Sequence, residues 1–232
     1  MVQETTERIT QRPDRAVDKG LFISLTVFAV AMAYFEAALV VYLRKLLYPQ
    51  DILHVFPVRL MTPSLLVIEL GRETAAMVML VSVALIAQTT FVRRLAVFVY
   101  LFGLWDIFYY VWLKATIGWP MSWLEWDVLF LIPWVWLGPW VCAALIAALY
   151  SVWGARALVS PSTPRFGKVR AAGILIGAVF CLVSFLQPAL SVMLEAGIDS
   201  LEGYMPGGFW WPLYIAGWML MAMGLPWAQR RE

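Results

Sequence analysis

Apolar stretches of about twenty residues recur along the whole chain, at 21–42, 63–87, 95–113, 128–152, 171–193 and 210–227. A helix of that length crosses the ~30 Å hydrocarbon core of a bilayer at ~1.5 Å per residue. The alternating strand pattern of a membrane barrel is absent from the sequence. The chain is 62% hydrophobic and 14% charged, with a mean hydropathy of +0.78. A soluble domain carries roughly 25% charge. The sequence therefore predicts an all-α, polytopic integral membrane protein with about six transmembrane helices. Span four is interrupted by Pro133 and by Gly138-Pro139. It reads either as one kinked helix or as a short re-entrant piece followed by a span from about Trp140.

Residues 1–20 form a polar arm, and 21–232 a single membrane domain. The polar residues of that domain concentrate in 21–130, and 131–232 reads as a tryptophan-rich packing half. Ala29-Val30-Ala31-Met32-Ala33 imitates a signal-peptidase site, but the apolar run continues beyond it, which favours an uncleaved first helix. Gly173 and Gly177 stand in GxxxG spacing and predict a close helix contact. Cys142 and Cys181 lie within apolar runs without any CxxC or Cys/His spacing, and read as packing residues. The net charge of +2 is too balanced to point to nucleic acid.

With the amino terminus inside, twelve of the 17 Lys/Arg residues fall in the arm, in the Arg93-Arg94 and 156–170 connectors, and at Arg230-Arg231. The positive-inside rule then predicts a bacterial inner-membrane protein with both termini cytoplasmic.

Against this apolar background stands Glu69-Leu70-Gly71-Arg72-Glu73. Glu69 and Glu73 share a helix face, and Arg72 lies one turn from Glu69. Glu36 in span one and Asp106 in span three fall at similar depth, in the outer half of the bilayer. Asp127 sits at the start of the fourth run, where it reads as a helix N-cap or as a further member of the group. Ionisable groups in hydrocarbon cost several kcal/mol each unless they pair or bind an ion. One arginine cannot neutralise four intramembrane carboxylates, so protonation or a bound cation is expected.

The residues predicted to hold a cation are therefore Glu36, Glu69, Glu73, Asp106 and Asp127. Arg72, Tyr109, Tyr110 and the single histidine, His54, stand as supporting groups. Carboxylate-rich sets suit hard divalent cations such as Mg²⁺, Ca²⁺ or Mn²⁺, and also carboxylate-held iron or zinc. The Glu-x-x-His pairs of di-iron bundles are missing, and one connector histidine argues against haem. No HExxH, GxSxG, P-loop or GxGxxG motif is present, which removes support for zinc proteolysis, serine hydrolysis and nucleotide binding.

Three readings follow. The first is a protein binding one or two divalent metal ions, as a membrane enzyme acting on a lipid-soluble or periplasmic substrate. The second is a proton- or cation-coupled transporter using the same carboxylates. The third is a structural subunit of a homo-oligomer or larger membrane complex.

Overall fold

A computed structural model describes residues 16–227. The polar arm up to residue 15 and the carboxy-terminal arginines lie outside the described residues. The described residues form six α-helices, and five of these are long and apolar enough to span a bilayer: α1 (Lys19–Leu47), α2 (Pro63–Ala87), α3 (Phe91–Ile117), α4 (Trp140–Val159) and α5 (Lys168–Ala196). The all-α, polytopic membrane architecture expected from the apolar runs is what the chain adopts. The last run is shorter than expected. Helix α6 (Trp211–Gly224) has 14 residues, about 21 Å of helix against the ~30 Å of hydrocarbon.

Local chemistry sets the helix ends. Asp18 caps α1 by accepting the Leu21 N–H at 2.8 Å. Thr62 caps α2, with Pro63 in its first turn. Helix α3 ends at Gly118, which takes the left-handed conformation (φ 79°) that an L side chain resists.

The fourth apolar run departs from a single helix. Strand β1 (Trp126–Phe130) and strand β2 (Trp136–Pro139) pair antiparallel as a hairpin, with a register irregularity between Val128 and Phe130. Pro133 and Gly138-Pro139 forbid a continuous helix there, while Trp, Val and Phe suit a pleated strand. The chain turns helical only at Trp140, as the re-entrant alternative anticipates. Asp127 is therefore a strand residue, and the helix-cap expectation for it is corrected.

Two close crossings hold the helices. A Cβ on Gly103 would meet Ala147 and Ser151, and one on Gly154 would meet Ala96 and Tyr100, so α3 and α4 touch nearly backbone to backbone. Gly177 and Gly217 do the same for α5 and α6. Gly173, expected as the partner of Gly177 in that contact, faces open space. The GxxxG spacing is therefore only half used, because α6 follows α5 along a face that brings Gly217 to Gly177 and Gly224 to Arg170 and Ile174 and leaves Gly173 outside it.

The hairpin joins these units. Trp136 stacks on Phe185 of α5 with ring centroids 5.9 Å apart, and Leu137 is buried with Ala189 and Leu201. Tyr214 of α6 donates to the Cys142 carbonyl of α4 at 2.7 Å. Cys142 and Cys181 are buried free thiols in the core, as their apolar surroundings suggest. Exposed residues such as Val67, Ile68, Val78 and Ile86 on α2 form an apolar surface suited to lipid.

Gly177→Leu is expected to lower stability by about 1–3 kcal/mol through overpacking at the α5–α6 crossing. Gly173→Leu should cost about 0.5 kcal/mol or less. Thermal unfolding in detergent, followed by tryptophan fluorescence, compares the two.

Candidate functional site

The end of the molecule that carries the hairpin gathers the termini Leu47, Pro63, Ile117 and Trp140. Arg72 lies nine residues into α2 from that end, about 14 Å along the axis, and Glu69 and Glu73 lie at about 9 and 15 Å. Glu36 and Asp106 each lie eleven residues from the same end on α1 and α3, about 16 Å deep. Measured along the helices from this end, Glu36, Glu69, Arg72, Glu73 and Asp106 thus fall within about 7 Å of one another.

Arg72 binds three carboxylates. Its guanidinium donates to Glu36 across the α1–α2 gap and to Glu69 on its own helix at 2.7 Å, and it stands 3.9 Å from Glu73. Glu36, Glu69 and Glu73 are each less than a tenth exposed. Glu73 has a second task. Both its oxygens accept from the Leu131 N–H, at 3.1 and 3.0 Å. Leu131 follows β1 at the hairpin tip, so a carboxylate at mid-helix depth satisfies a backbone donor that no ladder reaches.

A second pair lies beside the first. Arg44, three residues before the end of α1, donates to Asp127 at 3.2 Å, and both side chains are about 4% exposed. The guanidinium also rests 3.9 Å from the centre of the Trp119 ring, a cation–π contact strengthened by desolvation. Tyr110 donates to the other Asp127 oxygen at 3.4 Å. Tyr109 stacks edge-on against Tyr110 with centroids 4.9 Å apart. Tyr109 thus flanks the Asp127 pair, within electrostatic range of Arg72 as well.

Asp106 is different. It is half-buried and close enough to Asp127 to feel its charge. Among the described residues no hydrogen bond or ion pair reaches its carboxylate. His54 stands apart from the group: it is exposed and bonded to Asp51 at 2.6 Å. That hydrogen bond holds the Asp51 carboxyl below its ordinary range.

The structure thus brings together Glu36, Glu69, Arg72 and Glu73, and separately Asp127 and Tyr110, with Tyr109 and Asp106 alongside. Sequence reasoning missed Arg44, which it counted as a connector cation, and Trp119. A signal for Arg44 existed: it continues, seven residues on, the buried alanine stripe Ala29, Ala33, Ala37. The Leu131 N–H carried no such signal, because backbone donors are anonymous until the hairpin forms. No family model, curated protein or solved structure matches this chain.

Two substitution sets test this description. Arg44→Met should cost about 3–5 kcal/mol by stranding the buried Asp127 charge, and Arg44→Met with Asp127→Leu should recover most of that loss. Glu73→Gln keeps an acceptor for Leu131, whereas Glu73→Leu leaves its N–H unpaired at a cost of about 1–3 kcal/mol. Denaturant unfolding of the purified variants reads both.

Proposed function

We propose that this integral membrane protein is a proton- or cation-coupled transporter whose buried carboxylates exchange their counter-ions through the hairpin end. The observation that supports the reading is an imbalance of charge. Five carboxylates stand against two guanidiniums: Glu36, Glu69, Glu73 and Asp106 lie with Arg72 about 9–16 Å into the helices, and Asp127 of β1 pairs with Arg44 beside them. Full ionisation would leave three uncompensated negative charges there, at a cost of several kcal/mol each, so protons or a cation must offset them.

Asp106, whose carboxylate meets no hydrogen bond or ion pair among the described residues, and Tyr109, packed against Tyr110, would extend a relay from these networks. The hairpin adds a second requirement of transport, irregular backbone at membrane depth beside the charged site. Its tip is tied to α2 through Glu73, so the ionisation of that carboxylate and the position of the tip are linked. The positive-inside count supports a bacterial inner membrane, with the hairpin end outward.

A divalent metal ion on the same carboxylates draws on the same excess charge. The donor set does not fit one as the side chains stand. Among the described residues no three His, Cys, Asp or Glu side chains converge as ligands, and Arg72 occupies the space between Glu36, Glu69 and Glu73. A metal-dependent enzyme would require Arg72 to withdraw.

Infrared difference spectra of the purified protein across an acid-to-alkaline titration test the proposal. A carboxylic-acid C=O band that titrates, and is reduced in Asp106→Asn, is expected. In proteoliposomes, potential-driven proton or alkali-cation flux should be largely lost in Glu73→Gln. Stoichiometric divalent metal in the wild type, lost in Glu69→Gln, would replace transport by the metal reading. Fully ionised carboxylates with no bound cation would overturn both.

A further inference from the structure

The opposite end of the molecule holds a second polar feature, unconnected with the carboxylate layer. Seven cations lie at this end among the described residues (Lys19, Arg93, Arg94, Arg156, Arg165, Lys168, Arg170), against the single carboxylate of Asp18, which caps α1. Between the end of α4 and the turn after α6 opens a cleft of about 290 Å³, lined by Trp153, Arg156, Ser160, Pro226 and Trp227 among others. Trp227 is anchored by donating to the Ala222 carbonyl at 2.6 Å.

A helix carboxy terminus ordinarily repels anions, because its last carbonyls carry partial negative charge. Here that charge is already answered. The buried Arg93 guanidinium donates to the Ala157, Leu158 and Ser160 carbonyls, and the Val17 N–H donates to Leu158 at 3.0 Å. Arg156 is therefore not needed to seal the helix. It is exposed, and among the described residues its guanidinium has no hydrogen-bond or ion-pair partner.

We propose that this cleft binds the phosphate of an anionic phospholipid headgroup, with Arg156 as its principal contact and Trp153 and Trp227 flanking it. An unspent guanidinium presents a fork of donors matched to phosphate oxygens. The cleft opens at the ends of membrane-spanning helices, where tryptophans favour the headgroup layer. Basic pockets between helix ends at a lipid surface suit headgroup recognition. Lipid is thus favoured over a soluble phosphate by position, and anionic over zwitterionic lipid by the excess of cations over carboxylates among the described residues of this end.

Native mass spectrometry of the full chain, released from nanodiscs of mixed phosphatidylglycerol and phosphatidylcholine with matched acyl chains, tests the assignment. The wild type should retain phosphatidylglycerol in preference, and Arg156→Gln should reduce that retention about fivefold, the factor one arginine supplies at a lipid surface. Arg170→Gln carries the same net charge outside the cleft and should retain the lipid as the wild type does. Equal losses in the two variants, or no preference for phosphatidylglycerol, would overturn the proposal. Displacement of the lipid by an equal concentration of glycerol 3-phosphate would overturn its lipid source. Should Arg156→Gln fail to fold, Arg156→Lys keeps the charge without the fork; unaltered retention in that variant would refute recognition through the guanidinium.

Discussion

Hydrocarbon offers no water to an unpaired N–H, so every departure from helix within the membrane must be answered by protein. Such a departure occurs where β1 ends and the chain turns back toward β2. The Leu131 N–H points away from the ladder, and Glu73 of α2 receives it with both oxygens. Glu73 in turn belongs to the Arg72 group, which reaches Glu69 on the same helix and Glu36 on α1. The non-helical element, the second helix and the first helix are therefore linked through one set of charges. An apolar residue at 73 would leave the hairpin tip unsatisfied, and an apolar residue at 72 would leave three carboxylates without a cation.

This arrangement explains how α2 is attached. Its extensive packing is against α3 alone, and its links to α1 and to the hairpin are polar. Elsewhere α1 packs on α3 without glycine, and α3 meets α4 and α5 meets α6 at glycine crossings, where small residues let backbones approach and dispersion does the work. Polar links depend on protonation and glycine crossings do not. The molecule thus combines apolar packing with polar links that hold α2 and the hairpin tip.

The hairpin owes its position to both kinds of contact. Trp136 and Leu137 pack on α5 and its neighbours through aromatic and aliphatic surface, while Asp127 and Leu131 turn to Arg44 and Glu73. Alternation along a strand sends successive side chains to opposite faces, so in β1 Trp126 and Val128 meet apolar neighbours while Asp127 between them meets Arg44. A helix in the same stretch would have scattered those contacts around its circumference.

The membrane class, five of the helical spans and the placement of Glu36, Glu69, Glu73 and Asp106 well inside their helices were legible in the sequence. They follow from run length and the fixed rise of a helix, which depend only on local chain properties. The breaks at Pro133 and Gly138-Pro139 were also local, and they marked the fourth run as irregular without saying that it pairs as strands. Tertiary structure alone decided which carboxylate meets which arginine: Arg44 with Asp127 across 83 residues, Arg72 with Glu36 across 36, and Glu73 with a backbone donor 58 residues away. It also decided that Gly177 packs on Gly217 while Gly173 faces outward. Depth is set along one helix axis, but partnership depends on how helices rotate and cross, and that is fixed by the packing of the whole bundle.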